Sequence, residues 1–160
     1  MEKILIKETK KCDTRTGESD FNKADVDKET DLHIQAVNKC GEFICNMISE
    51  QFANHDFTKN STPEYLDAFT KALQTGFAGK EFKSQDWWEI HKNKERHHLK
   101  DRVPDDVNLV DVLEMICDCV SAGLARTGEV YDVDLDGKIL EKAFKNTADL
   151  LIKNIKVEKQ

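Results

Sequence analysis

The histidines are the side chains best suited to chemistry in this sequence, and all five lie between positions 33 and 98. They comprise His33, the dipeptide His55-Asp56, His91 and the dipeptide His97-His98. Imidazole nitrogens and carboxylate oxygens together are ligands that suit divalent transition metals. The set therefore predicts a metal site, and Mg, Mn, Fe, Co, Ni and Zn are all candidates.

Three acids extend this pattern on a later helix. Asp111, Glu114 and Asp118 are spaced by three and four residues, so they share one helix face. That helix is otherwise rich in Val, Leu, Met, Ile and Cys. Acids on a largely buried helix are unfavourable unless a cation meets them. The cation could be one of the many lysines or a metal ion.

Each feature also has an ordinary interpretation. A lone histidine on a helix is usually solvated, an adjacent His-Asp pair is common by chance, and residues 92–100 could be a charged solvent face. The combination of several imidazoles with helical carboxylates in one short chain favours the metal site over these interpretations.

The elements that must position these residues are predicted to be helices. Apolar residues at steps of three and four predict a helix over about 27–54. Thr62-Pro63 and Asn108 begin further helices, and Asp136 caps the last one, which runs from about residue 137 to 157. Another helix runs from Ser84 towards Leu99. We therefore expect an all-α, single-domain bundle of about five helices. Residues 1–25 would form an N-terminal segment with one short strand at 3–6 and a polar loop over 7–25, and residues 26–160 the helical domain.

Composition narrows the class of protein. The chain has 160 residues and a formal net charge of −7, which disfavours binding to duplex nucleic acid or to an anionic membrane. No apolar stretch approaches the roughly 18 residues of a membrane span, and the N-terminus lacks the features of a secretion signal. We expect a cytoplasmic protein.

The cysteines and tryptophans add little chemistry. Cys12, Cys40, Cys45, Cys117 and Cys119 match neither a zinc site nor a disulfide framework, so free thiols are expected. Trp87 and Trp88 could stack on a nucleobase, although we expect one of them to belong to the hydrophobic core.

The stretch His55-Asp56-Phe57-Thr58-Lys59 resembles the His-Asp-x-x-Lys signature of the HD superfamily of metal-dependent phosphohydrolases. The chain is also similar to a small uncharacterised HD-like family of bacteria and phages, in which a later His, a His-His pair and a Glu-Met-x-x-Asp helix follow that signature. Glu114-Met115-Ile116-Cys117-Asp118 matches the last element. The resemblance spans residues 33–118, and the gap between His33 and His55 is short for the superfamily.

The resemblance implies an HD-domain-like fold and hydrolysis of a nucleotide or nucleotide-like phosphoester by a metal-activated water. It implies one or two divalent ions. The first would be held by His33, His55, Asp56 and Asp118, and the second by His91 and His98. Asp118 ranks ahead of Glu114 and Asp111 as the final acid. Asp56 and Lys59 would be the catalytic residues, and Lys59, with Arg96 and His97 as weaker candidates, would contact the phosphate.

The alternative is a non-catalytic, metal-stabilised helical binding protein. A phage protein of this kind would sequester a ligand or a host partner, and would act in the host cytosol. The sequence leaves open the substrate, the identity and number of the metal ions, and whether the chain forms a homodimer.

Overall fold

The structure is a computed structural model that describes residues 3–9 and 21–159. These residues form six α-helices and two short strands, with two short 3₁₀ turns over Gly76–Gly79 and Phe82–Ser84. In chain order the elements are β1 (Ile4–Lys7), α1 (Lys23–Ala53), α2 (Phe57–Ser61), α3 (Pro63–Gln74), α4 (Asp86–Lys94), α5 (Leu109–Thr127), α6 (Gly137–Asn154) and β2 (Ile155–Glu158). The mostly helical fold with a short N-terminal strand is confirmed.

The helices differ from the sequence prediction in three places. The third predicted helix ends at Lys94, so His97 and His98 lie in the segment after α4 and not on a helix. The last helix ends at Asn154, and the chain continues as β2. The five-residue α2, just after His55-Asp56, was not predicted. In the predicted loop, residues 10–20 lie outside the described residues, and so does Cys12.

The chain divides into two compact units, one made of residues 1–49 and 148–160 and the other of residues 50–147. In the first unit, β1 pairs in parallel with β2, with Ile4 opposite Ile155 and Ile6 opposite Val157. The predicted N-terminal strand therefore pairs within its own chain. The predicted division at residues 25 and 26 stays a prediction.

The second unit holds all the candidate site residues except His33. One of its apolar clusters joins α3 to α4 and contains Tyr65, Ala72, Trp87 and Trp88. The other surrounds α5 and contains Leu99, Val107, Val112, Met115 and Ala143. These clusters fix α4 and α5, the two helices that supply most of the site.

Local capping fixes where α5 begins and ends. The Asn108 side chain accepts a hydrogen bond from the Val110 N–H, and the Asp111 carboxylate accepts one from the Asn108 N–H at 2.9 Å, which completes a capping box. Gly128, with a φ of 77°, ends the helix. Asp136 Oδ1 likewise accepts from the Lys138 N–H at the start of α6. The predicted Asn108 and Asp136 caps are thus confirmed, whereas the Thr62 side chain makes no capping hydrogen bond at the start of α3.

None of the described helices is both long and apolar enough to cross a lipid bilayer.

Candidate metal centre

A tight turn between α1 and α2 places His55 and Asp56 at the centre of the second unit. Asp56 has a φ of 56°, in the left-handed region, where a short polar side chain such as Asp or Asn is tolerated better than most. The Lys59 N–H donates to the Asp56 backbone carbonyl at 2.9 Å. This turn, and not a continuous helix, presents both side chains towards α4 and α5.

Three imidazoles converge on the Asp56 carboxylate from α4 and the segment after it. His91 Nε2 lies 3.2 Å and His97 Nε2 lies 3.7 Å from Asp56 Oδ1. Asp56, His91, His97 and His98 each offer one ligand atom, and these atoms lie within 4.8 Å of one another. His91 and His97 are only 2% and 1% exposed. These four side chains form the largest of the candidate metal groups among the described residues.

Two further groups share members with the first. His55, His97 and Glu114 form one, with His55 Nδ1 2.8 Å and His97 Nδ1 3.2 Å from Glu114 Oε1. His55, Asp56 and Asp118 form the other, with His55 Nε2 3.4 Å from Asp56 Oδ2 and 3.7 Å from Asp118 Oδ1. The side chains of His55 and Asp118 are 31% and 27% exposed, so this part of the cluster reaches solvent.

Several atoms of the cluster are buried without a hydrogen-bond partner, which tests the fit to a metal ion. They are Asp56 Oδ1, both ring nitrogens of His97 and His98 Nε2. His97 Nδ1 is close to Glu114 but not in hydrogen-bonding geometry. A buried polar atom without a partner costs about 1–3 kcal/mol. A cation that accepts lone pairs from Asp56 Oδ1, His98 Nε2 and one nitrogen of His97 would remove most of that penalty, so the residues fit a metal ion.

The tautomer of His91 also favours a bound cation at this position. Thr58 Oγ1 donates its one proton to Glu95 Oε1 at 2.7 Å, so it must accept from His91 Nδ1–H at 2.6 Å. We assign the Nδ1–H tautomer on this basis. His91 Nε2 is then left with a lone pair that faces the Asp56 carboxylate at 3.2 Å. Two electron-rich atoms in that position need a proton or a metal ion beside them.

The electrostatics of the cluster reflect these contacts. Burial alone would raise the pKa of Asp56, but its contacts with the His91 imidazole and the Lys59 ammonium outweigh burial and hold that pKa well below its usual value. Burial opposes ionisation of Glu114 in the same way, yet its contact with His97 and its hydrogen bonds with Gln51 and His55 lower its pKa to about 2. Both carboxylates are therefore ionised and available as ligands at neutral pH.

The pKa values of the adjacent His97 and His98 are shifted in opposite directions. Burial would lower the pKa of His97, but Glu114 and the charges of Asp118 and Asp56 raise it above its ordinary value. Burial lowers the pKa of His98 to about 3, and its histidine neighbours add to that effect. His98 is thus neutral near pH 7, which is the form that coordinates a metal.

A cavity of about 660 Å³ adjoins the cluster. His91, His98, Asp118 and Lys59 lie on its wall, so candidate metal ligands face this space. Its remaining lining is mainly apolar and aromatic, and Trp87 and Trp88 both contribute. Both indoles are at least nine-tenths buried, so each serves the core and the cavity wall together.

The model of a family of unknown function, DUF5662, matches residues 22–155. The chain belongs to this family. No curated protein and no solved structure matches the chain. All members of the three groups lie within the matched residues. The family description assigns no activity, and the resemblance to the HD superfamily stays a prediction.

The structure brings together most of the predicted ligands. His55, Asp56, His91, His98, Glu114 and Asp118 all belong to the three groups, and so does His97, which was predicted only as a phosphate contact. His33 is not in any of these groups. It is exposed, on the part of α1 that belongs to the first unit, and its role as a ligand stays a prediction.

Two predicted phosphate contacts already have protein partners. The Lys59 ammonium pairs with the Asp56 carboxylate while also lining the cavity. Arg96 donates from Nε and Nη2 to both oxygens of Asp111, at 2.7 and 2.9 Å, and this pairing raises its pKa further. Asp111 is fully buried and lies outside the three groups. Among the three acids of α5, Asp111 is therefore the one that pairs with an arginine and does not belong to a candidate metal group.

Three supporting residues were missed by the sequence analysis. Gln51 donates from Nε2 to Asp111 at 2.8 Å and to Glu114 at 2.6 Å. Thr58 and Glu95 hold His91 from the side opposite Asp56. Thr58 lies within the stretch that resembles the His-Asp-x-x-Lys signature, which was the one available signal. Gln51 and Glu95 have none, since isolated polar residues in helical patterns are usually solvated.

Proposed function

We propose that this protein is a metal-dependent phosphohydrolase that acts on a nucleotide or nucleotide-like phosphoester. The observation that carries the proposal is the convergence of buried, unpartnered nitrogen and oxygen atoms at Asp56, His97 and His98 beside a cavity large enough for a small molecule. The similarity of residues 55–59 to the His-Asp-x-x-Lys signature supports hydrolysis of a phosphoester over other metal chemistry.

The metal ligands would come from the three groups, with one ion or two. Asp56, His91, His97 and His98 offer a set in which His91 and His97 are buried and the other two are partly buried, and His55, Asp56 and Asp118 offer a more open one. A divalent ion there lowers the pKa of a bound water and neutralises phosphate charge. Hydrolysis needs a coordination position that substrate can reach, and the exposed fractions of His55 and Asp118 supply that access.

The chain's own residues would handle the rest of the substrate. Lys59 pairs with Asp56 and also lines the cavity. If a metal ion neutralised the Asp56 carboxylate, the Lys59 ammonium would be free to contact a phosphate oxygen. Trp88 presents a large planar surface to the same cavity, which suits a nucleobase. The apolar walls exclude water from this side of the substrate.

The test is elemental analysis of the purified protein together with a hydrolysis screen on nucleotides. Asp56→Asn is the sharpest variant, because Asn tolerates the left-handed backbone at this position and differs from Asp only in its charge and hydrogen bonding. Asp67→Asn, on the exposed face of α3, is the matched control. We expect about one or two metal equivalents in the wild type and the control, with metal and hydrolysis lost together in Asp56→Asn.

A second function is favoured by the near-complete burial of His91 and His97, because closed metal sites are typical of structural ions. In that case the protein would be a metal-stabilised binding module without turnover. Bound metal with no hydrolysis of any nucleotide tested would support it. A wild-type protein that binds no metal under any loading condition would contradict both functions.

A further inference from the structure

The cavity beside the candidate metal centre has two chemically different parts. Six of its twelve lining residues are Phe, Tyr or Trp: Tyr65, Phe69, Phe82, Trp87, Trp88 and Tyr131. Phe82 lies 4.5 Å from Trp88 and 5.1 Å from Trp87, measured between ring centroids, so this wall is a packed aromatic surface. The polar lining consists of Lys59, His91, His98, Asp118 and Arg126. Such a space suits a compound that carries both a planar group and an anion.

Arg126 differs from the other cations near this site. Lys59 pairs with Asp56, and Arg96 pairs with Asp111 and Asp106. Within residues 3–9 and 21–159, no carboxylate and no hydrogen-bond acceptor meets the Arg126 guanidinium. It nevertheless lines the cavity from the last turn of α5. An arginine that faces an aromatic-walled cavity with its donors free is suited to an anionic group of a ligand.

Arg126 and the candidate metal ligands flank the same space along one helix. Asp118 and Arg126 are eight residues apart on α5, a little over two turns, and helical side chains lean towards the N-terminus, here towards Asp118. Tyr65 also lines the cavity and is close enough to both Asp56 and Arg126 for their charges to affect its phenol. Burial raises the pKa of its phenol, the charge of Asp56 raises it further, and the charge of Arg126 lowers it.

We propose that Arg126 is the specificity-determining residue of this cavity, and that it binds an anionic group of a phosphorylated substrate whose planar aromatic group lies against Trp88. The proposal rests on the proposed function only in taking the cavity as the substrate site. Arg126 lies outside the motifs of the resembled family. Its charge would make the cavity prefer phosphorylated aromatic compounds to uncharged ones.

Binding can be measured without turnover, because the two tryptophans of the chain both line this cavity. Their fluorescence is followed during titration with two probes, in the metal state in which the protein is purified. One probe is the phosphonate isostere of AMP, whose P–C bond resists hydrolysis, and the other is adenosine, which has no anion. We expect the wild type to bind the phosphonate about tenfold or more tightly than adenosine.

Arg126→Gln should lose most of this difference, with its affinity for adenosine unchanged within about twofold. Arg102→Gln is the control, since Arg102 is also exposed but donates to the Asn93 carbonyl and does not line the cavity. It should keep the wild-type preference. The proposal is overturned if the wild type does not prefer the phosphonate, or if Arg126→Gln keeps that preference. Failure of the proposed function would show separately, as missing metal or missing hydrolysis with this binding preference intact.

Discussion

At the scale of single residues, the orientation of His91 depends on side chains on its far side. Thr58 is fully buried, and its hydroxyl lies between His91 Nδ1 and Glu95 Oε1. The Thr58 N–H also donates to Glu95 at 2.8 Å, which fixes the carboxylate. A histidine held in this way has one tautomer and one ring orientation, with Nε2 directed at Asp56. Partners of this kind are what tune a metal-binding histidine.

We therefore expect Thr58→Val to lower metal affinity by about 10–100-fold. Valine has nearly the same volume as threonine but cannot accept the Nδ1–H of His91 or donate to Glu95. Thr58→Ser keeps the hydroxyl and should stay close to the wild type. Affinity is measured by competition with a chelator of known strength.

Thr70→Val, on the exposed face of α3, controls for the substitution itself. If Thr58→Val and Thr58→Ser bind metal equally well, the hydroxyl does not position His91.

At the scale of elements, α5 contributes to both the candidate metal groups and the cavity. Its N-terminus is capped by Asn108 and Asp111, its middle supplies Glu114 and Asp118, and its last turn supplies Arg126. Gly123, inside the helix, meets the segment that follows α5. A Cβ at this position would lie 2.5 Å from the Glu129 carbonyl oxygen and 2.5 Å from the Tyr131 nitrogen. Only glycine lets the backbone of residues 129–131 lie this close to the helix.

Gly123→Ala should therefore destabilise the protein by about 1–3 kcal/mol, because backbone atoms, unlike a flexible side chain, must move to admit the methyl group. The displaced segment carries Tyr131, which lines the cavity. A lower midpoint of thermal unfolding, with a changed tryptophan emission, is the expected result.

Gly41→Ala is the matched control with the opposite sign. It is also a glycine inside a helix, in α1, but nothing lies within 4 Å of its added Cβ. Alanine is favoured over glycine by about 0.5–1 kcal/mol in such a position. A Gly123→Ala protein as stable as Gly41→Ala would mean that residues 129–131 do not need this close approach.

At the scale of the whole molecule, the cluster couples stability to pH. The raised pKa of His97 contributes stability that is complete below its ordinary value of 6.5 and is lost as the pH rises through the raised value. The lowered pKa values of His98, at about 3, and Glu114, at about 2, work in the other direction. Folding disfavours the charged form of His98, so stability falls as the pH drops below 6.5, and Glu114 adds to this fall below 4.5.

The metal-free protein, kept in EDTA, should therefore be most stable near pH 6.5 and lose stability on both sides. Metal binding competes with the proton on His97, so the gain in unfolding midpoint on adding Zn²⁺ should grow from about pH 5.5 to about pH 8. At a hundredfold excess over its dissociation constant, an ion that binds only the folded state adds about 2.7 kcal/mol.

Thermal unfolding at several pH values, with and without the ion, measures both effects. Glu114→Gln should flatten the alkaline side of the metal-free profile, because it removes the main cause of the raised pKa of His97. A metal-free midpoint that keeps rising above pH 6.5, or a gain from Zn²⁺ that shrinks with rising pH, would contradict this account.

The sequence by itself determined the features whose causes lie within a few residues. The helical spacing of apolar side chains, Pro63 in the first turn of α3, and the Asn108 and Asp136 caps are local signals, and each correctly marked an element. The shared face of Asp111, Glu114 and Asp118 followed from helix geometry alone. Residue type alone made the histidines candidates, and four of the five lie in the candidate metal groups, whereas His33 does not.

Only the tertiary structure decided how these residues are used. The helix predicted beyond Lys94 ends there, and a bend brings His97 and His98 back to Asp56, about 40 residues earlier in the chain. Asp111 and Glu114 occupy equivalent positions in the sequence pattern. In the structure, however, Asp111 pairs with Arg96, whereas Glu114 contacts His55. The free guanidinium of Arg126 shows only once the aromatic walls of the cavity are assembled. Helix signals act over one or two turns, whereas pairing, burial and cavities depend on which distant side chains the packed core brings together.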